Sequence, residues 1–180
     1  LLAYSSIANA GFMLLAVAAW DKGSDLTSAQ VVGFYFAIYL IMTFAAFFIL
    51  STIHRNTGSE EISAFEGLGT RNPFLALMTT IVMAAMAGVP LTAGFYGKFF
   101  AFEAAVRANL WVPISIGFIG VAAGFYYYFQ IIRAMYWRKS LDESPIKVRP
   151  LSLYVLITLT SLLIIFGFFP QPILWLLQAA

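Results

Sequence analysis

The stretch Ala87-Gly88-Val89-Pro90-Leu91-Thr92-Ala93-Gly94-Phe95-Tyr96-Gly97-Lys98 interrupts an apolar run that reaches from Phe74 to Phe102 and has Lys98 as its only charge. As one straight helix from Pro73 to Arg107, this segment would be roughly 50 Å long, well beyond the ~30 Å of a hydrocarbon core. Pro90 removes a backbone donor and clashes with the carbonyl four residues back. Gly88, Gly94 and Gly97 weaken helix around it and admit close backbone neighbours. Two readings follow. One is a kinked but continuous helix, which membrane spans tolerate. The other is a discontinuous helix, broken near residues 88–97, whose unwound middle lines a polar cavity.

On either side the sequence is simpler. Leu1–Trp20, Val31–Ile53, Ala108–Ile132 and Pro150–Ala180 carry no charged side chain. Each run meets the roughly 20 apolar residues that a membrane-crossing helix needs. Blocks such as Phe47-Phe48-Ile49-Leu50 lack the period-two alternation of barrel strands. The expected fold is therefore all-α and polytopic, with five spans at about 1–20, 31–53, 73–106, 109–136 and 151–177. Composition agrees: of 180 residues 62% are hydrophobic and 10% charged, with a mean hydropathy of +0.88. A soluble domain carries about a quarter charged residues. An ordinary cytoplasmic enzyme and a disordered tail are excluded. A net charge of +2 without a dense basic patch excludes a nucleic-acid partner. With no cysteine and one histidine, the chain offers no disulfide, iron–sulfur ligand or multi-histidine metal cage.

Basic residues orient the spans. Arg55, Arg71, Arg133, Arg138, Lys139, Lys147 and Arg149 fall on one side, and only Lys22 and Arg107 on the other. The first side is expected to be cytoplasmic, which puts the C-terminus on the opposite, periplasmic face. Trp20, Trp111, Trp137 and Trp175 stand near span ends, where amphipathic rings belong. The chain begins at Leu1 without an initiator Met, a charged n-region or a cleavage site, and is expected to be a piece of a longer polytopic protein. Between the second and third spans, Thr57-Gly58-Ser59-Glu60 has the form of a capping box. With Ile62, Phe65 and Leu68 it predicts a surface helix over about 59–69; a solvated loop is the alternative.

Lys98 carries the chemistry. An ammonium in hydrocarbon costs at least ~2.5 kcal/mol. On a straight helix centred near Pro90, Lys98 would lie about 12 Å from the midplane and could snorkel to the headgroups. Beside a true break it stays deep. There it would sit near the N-terminus of the second half-helix, where desolvation and the positive dipole end both work against the charged form. Lysine can then release and regain a proton, whereas arginine stays charged. Tyr4, Ser5, Ser6 and Asn9 on the first span, with Thr92 and Tyr127, form a candidate channel lining; the spacing equally fits hydrogen-bonded glue between helices. Glu103 and Arg107 read as an interfacial i,i+4 pair.

Several pieces together resemble the antiporter-like subunit N family of proton-pumping NADH:quinone oxidoreductase, respiratory complex I. They are Leu2-Ala3-Tyr4-Ser5-Ser6-Ile7 with Gly11, the 87–95 stretch with Gly97-Lys98-Phe99, Tyr126-Tyr127-Tyr128, Gly167-Phe168-Phe169-Pro170-Gln171-Pro172, and Phe65-Glu66-Gly67-Leu68 before Asn72-Pro73. The resemblance implies helices ten to fourteen of a fourteen-helix subunit built on inverted repeats, in a bacterial inner membrane. Lys98 matches the family lysine on the second broken helix, assigned to terminal proton transfer. Where many members have His, this chain has Asn9, so a titratable relay group is missing there.

The resemblance further implies a translocase subunit that handles protons and water, set in a lipid bilayer beside other membrane-arm subunits. No cofactor is expected in this chain; flavin, iron–sulfur clusters, NADH and quinone such as ubiquinone would belong to partner subunits. A cation/proton antiporter or membrane hydrogenase subunit of the same fold, a solute transporter and a non-pumping scaffold are the alternative readings. A solute transporter should show a polar substrate cluster, and apart from Lys98 the sequence has none.

Overall fold

Thr27 starts the longest helix with a reciprocal cap: its hydroxyl accepts the Gln30 N–H, and the Gln30 side chain accepts the Thr27 N–H. Such a pair satisfies two otherwise orphaned donors. The computed structural model describes residues 1–20, 27–140 and 144–178. Lys22 with its polar neighbours and Asp142 with Glu143 lie outside the described residues. The helices are α1 (Leu2–Ala18), α2 (Ser28–Thr57), α3 (Leu68–Arg71), α4 (Pro73–Ala87), α5 (Ala93–Arg107), α6 (Trp111–Trp137), α7 (Pro150–Phe168) and α8 (Gln171–Gln178). A single 3₁₀ turn covers Ile62–Phe65. The fold is all-helical among the described residues.

Helix α2 is the central column, packing on α1, α4, α5 and α7. Phe34, Ile38, Met42, Ala45, Ile49 and Ile53 recur at spacings of three and four and are all buried, the periodicity of one helical face. Helices α2, α6 and α7 are each long and apolar enough to cross a membrane. The outer faces of α1, α2 and α6 expose large apolar side chains, among them Ile7, Phe44 and Ile119. Lipid or neighbouring helices can cover such a surface, but water cannot.

Element bounds depart from the sequence reading in four places. The capping box at Thr57 does not form, because α2 continues through Thr57 and its hydroxyl bonds the Ile53 carbonyl one turn back. The surface helix expected over 59–69 divides into the 3₁₀ turn and α3, since Gly67 takes φ +67 and ends any continuous helix there. Asn72 then caps α4 by accepting the Leu75 N–H, with Pro73 in the first helical position. The third span breaks over residues 88–92, a shorter gap than the expected 88–97, so Gly94 and Gly97 lie inside α5. The last span stops at Phe168, before Pro170, and resumes as α8.

Candidate functional site

A helix leaves its last four carbonyls without intrahelical partners. In α4 these belong to Ala84, Ala85, Met86 and Ala87. Gly88 adopts φ +86, which only glycine enters without steric cost. That turn aims the Gly88 N–H at Ala84 and Ala85 and the Val89 N–H at Ala84, each at 3.0 Å. This is a Schellman-type closure. It leaves Met86 and Ala87, and Lys98 takes both: its Nζ donates to each carbonyl oxygen at 2.8 Å.

Lys98 stands on α5, five residues past its start at Ala93, and is 7% exposed. Its side chain runs back to the end of α4 and not outward to a headgroup. The dipole end nearest the ammonium is therefore the negative end of α4, opposite in sign to the end expected from sequence. The fit leaves no room for a side chain at residue 88, where a Cβ would come within 2.9 Å of Lys98 Cδ. Nζ also lies 5.2 Å from the centre of the Phe12 ring, within cation–π range. Among the described residues Lys98 has no carboxylate partner, and its third N–H has no protein acceptor.

The break itself is held by backbone. Thr92 turns its hydroxyl to the Val89 carbonyl at 2.7 Å, so it fixes the loop and does not reach Lys98. Leu91 carries φ +72, an unusual state for a side chain of that size. Gly94 lies against the Ala85 carbonyl, and a Cβ there would collide with it; Gly97 lies under the Tyr35 ring. Both glycines bring α5 close to its neighbours.

Beside this cap runs a buried polar chain across three helices. Tyr35 on α2 donates to Asn9 Oδ1 at 2.8 Å. Asn9 Nδ2 donates to the Ser5 carbonyl at 2.9 Å and to Ser5 Oγ at 3.3 Å. The Ser5 hydroxyl pairs with the Tyr128 hydroxyl on α6. All four residues are buried. Of the sequence-derived lining, Ser5 and Asn9 thus meet, while Ser6 bonds its own backbone at Leu2. Tyr4 is 79% exposed on the outer face. Tyr127 is half-buried, edge-on to Tyr128 with ring centres 4.4 Å apart.

Sequence reasoning passed over Tyr35, Phe12 and Tyr128 as site residues. Tyr35 shares the phase of Ile38 and Met42, which marked its face as inward. For Tyr128 the signal was weaker: three consecutive tyrosines cannot all face lipid, but spacing does not say which turns in. The Asn9 amide stands inside the hydroxyl chain. A primary amide donates from nitrogen and accepts at oxygen, so it does not hand on a proton as a hydroxyl can. The arrangement suits helix-to-helix bonding. Among the described residues, no group of His, Asp and Glu side chains could hold a metal ion.

The transmembrane family described as NADH:quinone oxidoreductase/Mrp antiporter matches residues 1–124. The chain is 35% identical to NADH-quinone oxidoreductase subunit N 1 of Roseiflexus castenholzii, over 96% of this chain and 33% of that protein. To NADH-quinone oxidoreductase subunit N of Hirschia baltica it is 41% identical, over 82% and 30% respectively. The chain thus spans about a third of the length of the curated relatives it matches. Its fold matches a chain of respiratory complex I from Thermus thermophilus with bound aureothin, at TM-score 0.80 and 34% identity, over 97% of this chain and 38% of that one. A chain of the membrane-bound sulfane sulfur reductase, an archaeal respiratory membrane complex, matches at TM-score 0.84 and 30% identity, over 98% and 35%.

Proposed function

Because the chain belongs to the NADH:quinone oxidoreductase/Mrp antiporter transmembrane family, we propose that it is part of a proton-translocating membrane-arm subunit of a redox-driven NADH:quinone oxidoreductase, with Lys98 as the proton carrier. One observation carries the reading: a buried lysine, without a carboxylate among the described residues, bonded to the two carbonyls that end an interrupted helix.

The donor count makes this position suited to proton exchange. An ammonium has three N–H groups, and two of them bind Met86 and Ala87. The third is the one that leaves. The neutral amine keeps two N–H groups, enough for both carbonyls, so the proton departs and returns without dismantling the end of α4. Water entering at the break over residues 88–92 takes the proton. Loss and gain of this charge is felt by neighbouring charged groups along the membrane arm, because Coulomb interactions act over long range at low dielectric.

Electron transfer belongs to partner subunits, which supply flavin, iron–sulfur clusters, NADH oxidation and quinone reduction. The subunit sits in a bacterial inner membrane, with the Arg55–Arg71 loop cytoplasmic and the C-terminus periplasmic, an orientation supported by the bias of basic residues. The family's antiporter members and the likeness to an archaeal respiratory membrane complex favour a second reading, an ion-translocating subunit of a related complex or a cation/proton antiporter.

The test is proton uptake into inside-out membrane vesicles by the full-length protein in its complex. Lys98→Ala is expected to assemble and to lower NADH-driven acidification several-fold. Lys98→Arg is expected to do the same, because its charge cannot alternate. Unchanged acidification in both variants overturns the role of Lys98. Sodium uptake in place of acidification supports the second reading.

A further inference from the structure

On the loop face, away from Lys98, Arg55 in the last turn of α2 and Lys147 and Arg149 before α7 line one cavity of about 490 Å³ together with Thr52, Asn56 and Ser152. None of these residues is acidic. Among the described residues, none of the three basic side chains forms an ion pair. Asn56 fixes the cavity floor, accepting the Lys147 N–H at 3.0 Å and donating to the Lys147 carbonyl at 3.1 Å. Helix α7 starts at this cavity, through Arg149 and Ser152, and has no side-chain cap; the positive dipole end of a helix favours an anion nearby.

Directly below lies an apolar groove between α2 and α7, sharing Thr52, Arg55, Arg149 and Ser152 with the cavity above. Its walls are Phe44, Phe47 and Phe48 on α2 with Leu151 and Val155 on α7. The three phenylalanines and Leu151 are exposed. From Arg55 to Phe44 the groove descends about 16 Å at 1.5 Å per residue. That is close to the depth of one leaflet, half of a ~30 Å core.

We infer that this cavity and groove are a binding site for one anionic glycerophospholipid. Its phosphate is held by Arg55, Lys147 and Arg149, and an acyl chain lies along Phe44, Phe47 and Phe48. Three cations without an ion pair among the described residues, above a one-leaflet apolar track, match a lipid that carries negative charge at one end and hydrocarbon at the other. Anionic lipids concentrate such charge at the cytoplasmic surface, the side on which the basic loops are expected. Arginine suits phosphate through its planar fork of donors.

The test uses the full-length protein in its complex, reconstituted in nanodiscs with trace phosphatidylglycerol or phosphatidylcholine bearing a photoactivatable acyl chain. Phosphatidylglycerol is expected to label the peptides holding residues 44–48 and 151–155 several-fold more than phosphatidylcholine. Arg55→Gln with Arg149→Gln is expected to reduce phosphatidylglycerol labelling to the phosphatidylcholine level. Lys147→Gln, on an exposed loop where folding is not at stake, is expected to reduce it in part. Equal labelling by the two lipids in the wild type overturns the proposal. So does loss of the preference in millimolar inorganic phosphate, which would mark a free-anion site, or cross-linking of these peptides to a neighbouring subunit with no lipid label.

Discussion

Lys98 Nζ and the carbonyl oxygen of Ala87 lie 2.8 Å apart across the break that separates α4 from α5. The lysine thus serves its own helix pair as a C-terminal cap, a task usually left to solvent or to backbone turns. Backbone N–H groups close two of the four open carbonyls, and this one side chain closes the other two. Charge and architecture are joined at one atom, and separate substitutions can pull them apart.

Lys98→Met keeps the length of the side chain and removes every donor. Met86 and Ala87 would be left with buried, unmatched carbonyls, each costing about 1–3 kcal/mol. The full-length protein in detergent is expected to unfold at a lower temperature than wild type by circular dichroism. An unchanged midpoint would mean that the cap contributes nothing to the fold.

Leu91 and Gly88 should respond in opposite directions. Leu91 holds φ +72 and is 61% exposed, so Leu91→Gly relieves left-handed strain of about 1 kcal/mol while losing little packing. Gly88→Ala adds that strain and drives a Cβ against Lys98 Cδ. The same unfolding measurement is expected to show a gain for the first and a loss for the second. A gain for both would refute the backbone argument.

Gly167 on α7 touches the break from outside. A Cβ there would collide with the Leu91 carbonyl oxygen and come within 2.6 Å of Thr92 Cα. Both are backbone atoms and cannot rotate away. Gly167→Ala is therefore expected to cost about 1–3 kcal/mol as overpacking. Gly11→Ala is the control, since a Cβ there meets nothing within 4 Å; it is expected to be neutral or stabilising by about 0.5–1 kcal/mol. Equal effects at the two sites would show that α7 yields freely at the break.

Tyr35→Phe takes the donor from Asn9 Oδ1, and Tyr128→Phe takes the partner from Ser5. Each is expected to lower stability by about 1–3 kcal/mol. The double variant should fall short of the sum, because both act on one hydrogen-bonded chain. Since the Asn9 amide interrupts that chain, proton uptake per assembled complex is expected to stay within about twofold of wild type, a change of under ~0.4 kcal/mol in the barrier. A larger loss at Tyr35 alone would show that protons pass through it.

Much of the fold was legible because a membrane restricts the choices. Uncharged runs long enough to cross it have to be helices, and Pro90, Gly88 and the excess length of the third span narrowed that segment to a kink or a break. The loop between α2 and α4 was harder. Gly67 looks like any loop glycine, and only its left-handed turn, with its N–H on the Ala134 carbonyl, divides the expected surface helix. Gly94 and Gly97 read both as helix weakeners and as points of close approach; inside α5 they serve the second role, and which groups approach them, the Ala85 carbonyl and the Tyr35 ring, is set by packing between helices.

Residue order alone was enough for a bundle of membrane helices, one overlong span weakened around Pro90, and a lysine shortly after it. Hydropathy, length and proline chemistry are local properties, and they were enough for that. Packing in three dimensions settled that the span is broken and where the ammonium goes. Whether a lysine reaches outward to headgroups or back to Met86 and Ala87 depends on which carbonyls the Gly88 turn has already closed and on how near α5 folds to α4. Helical spacing does not encode either quantity, because both arise from contacts across the break.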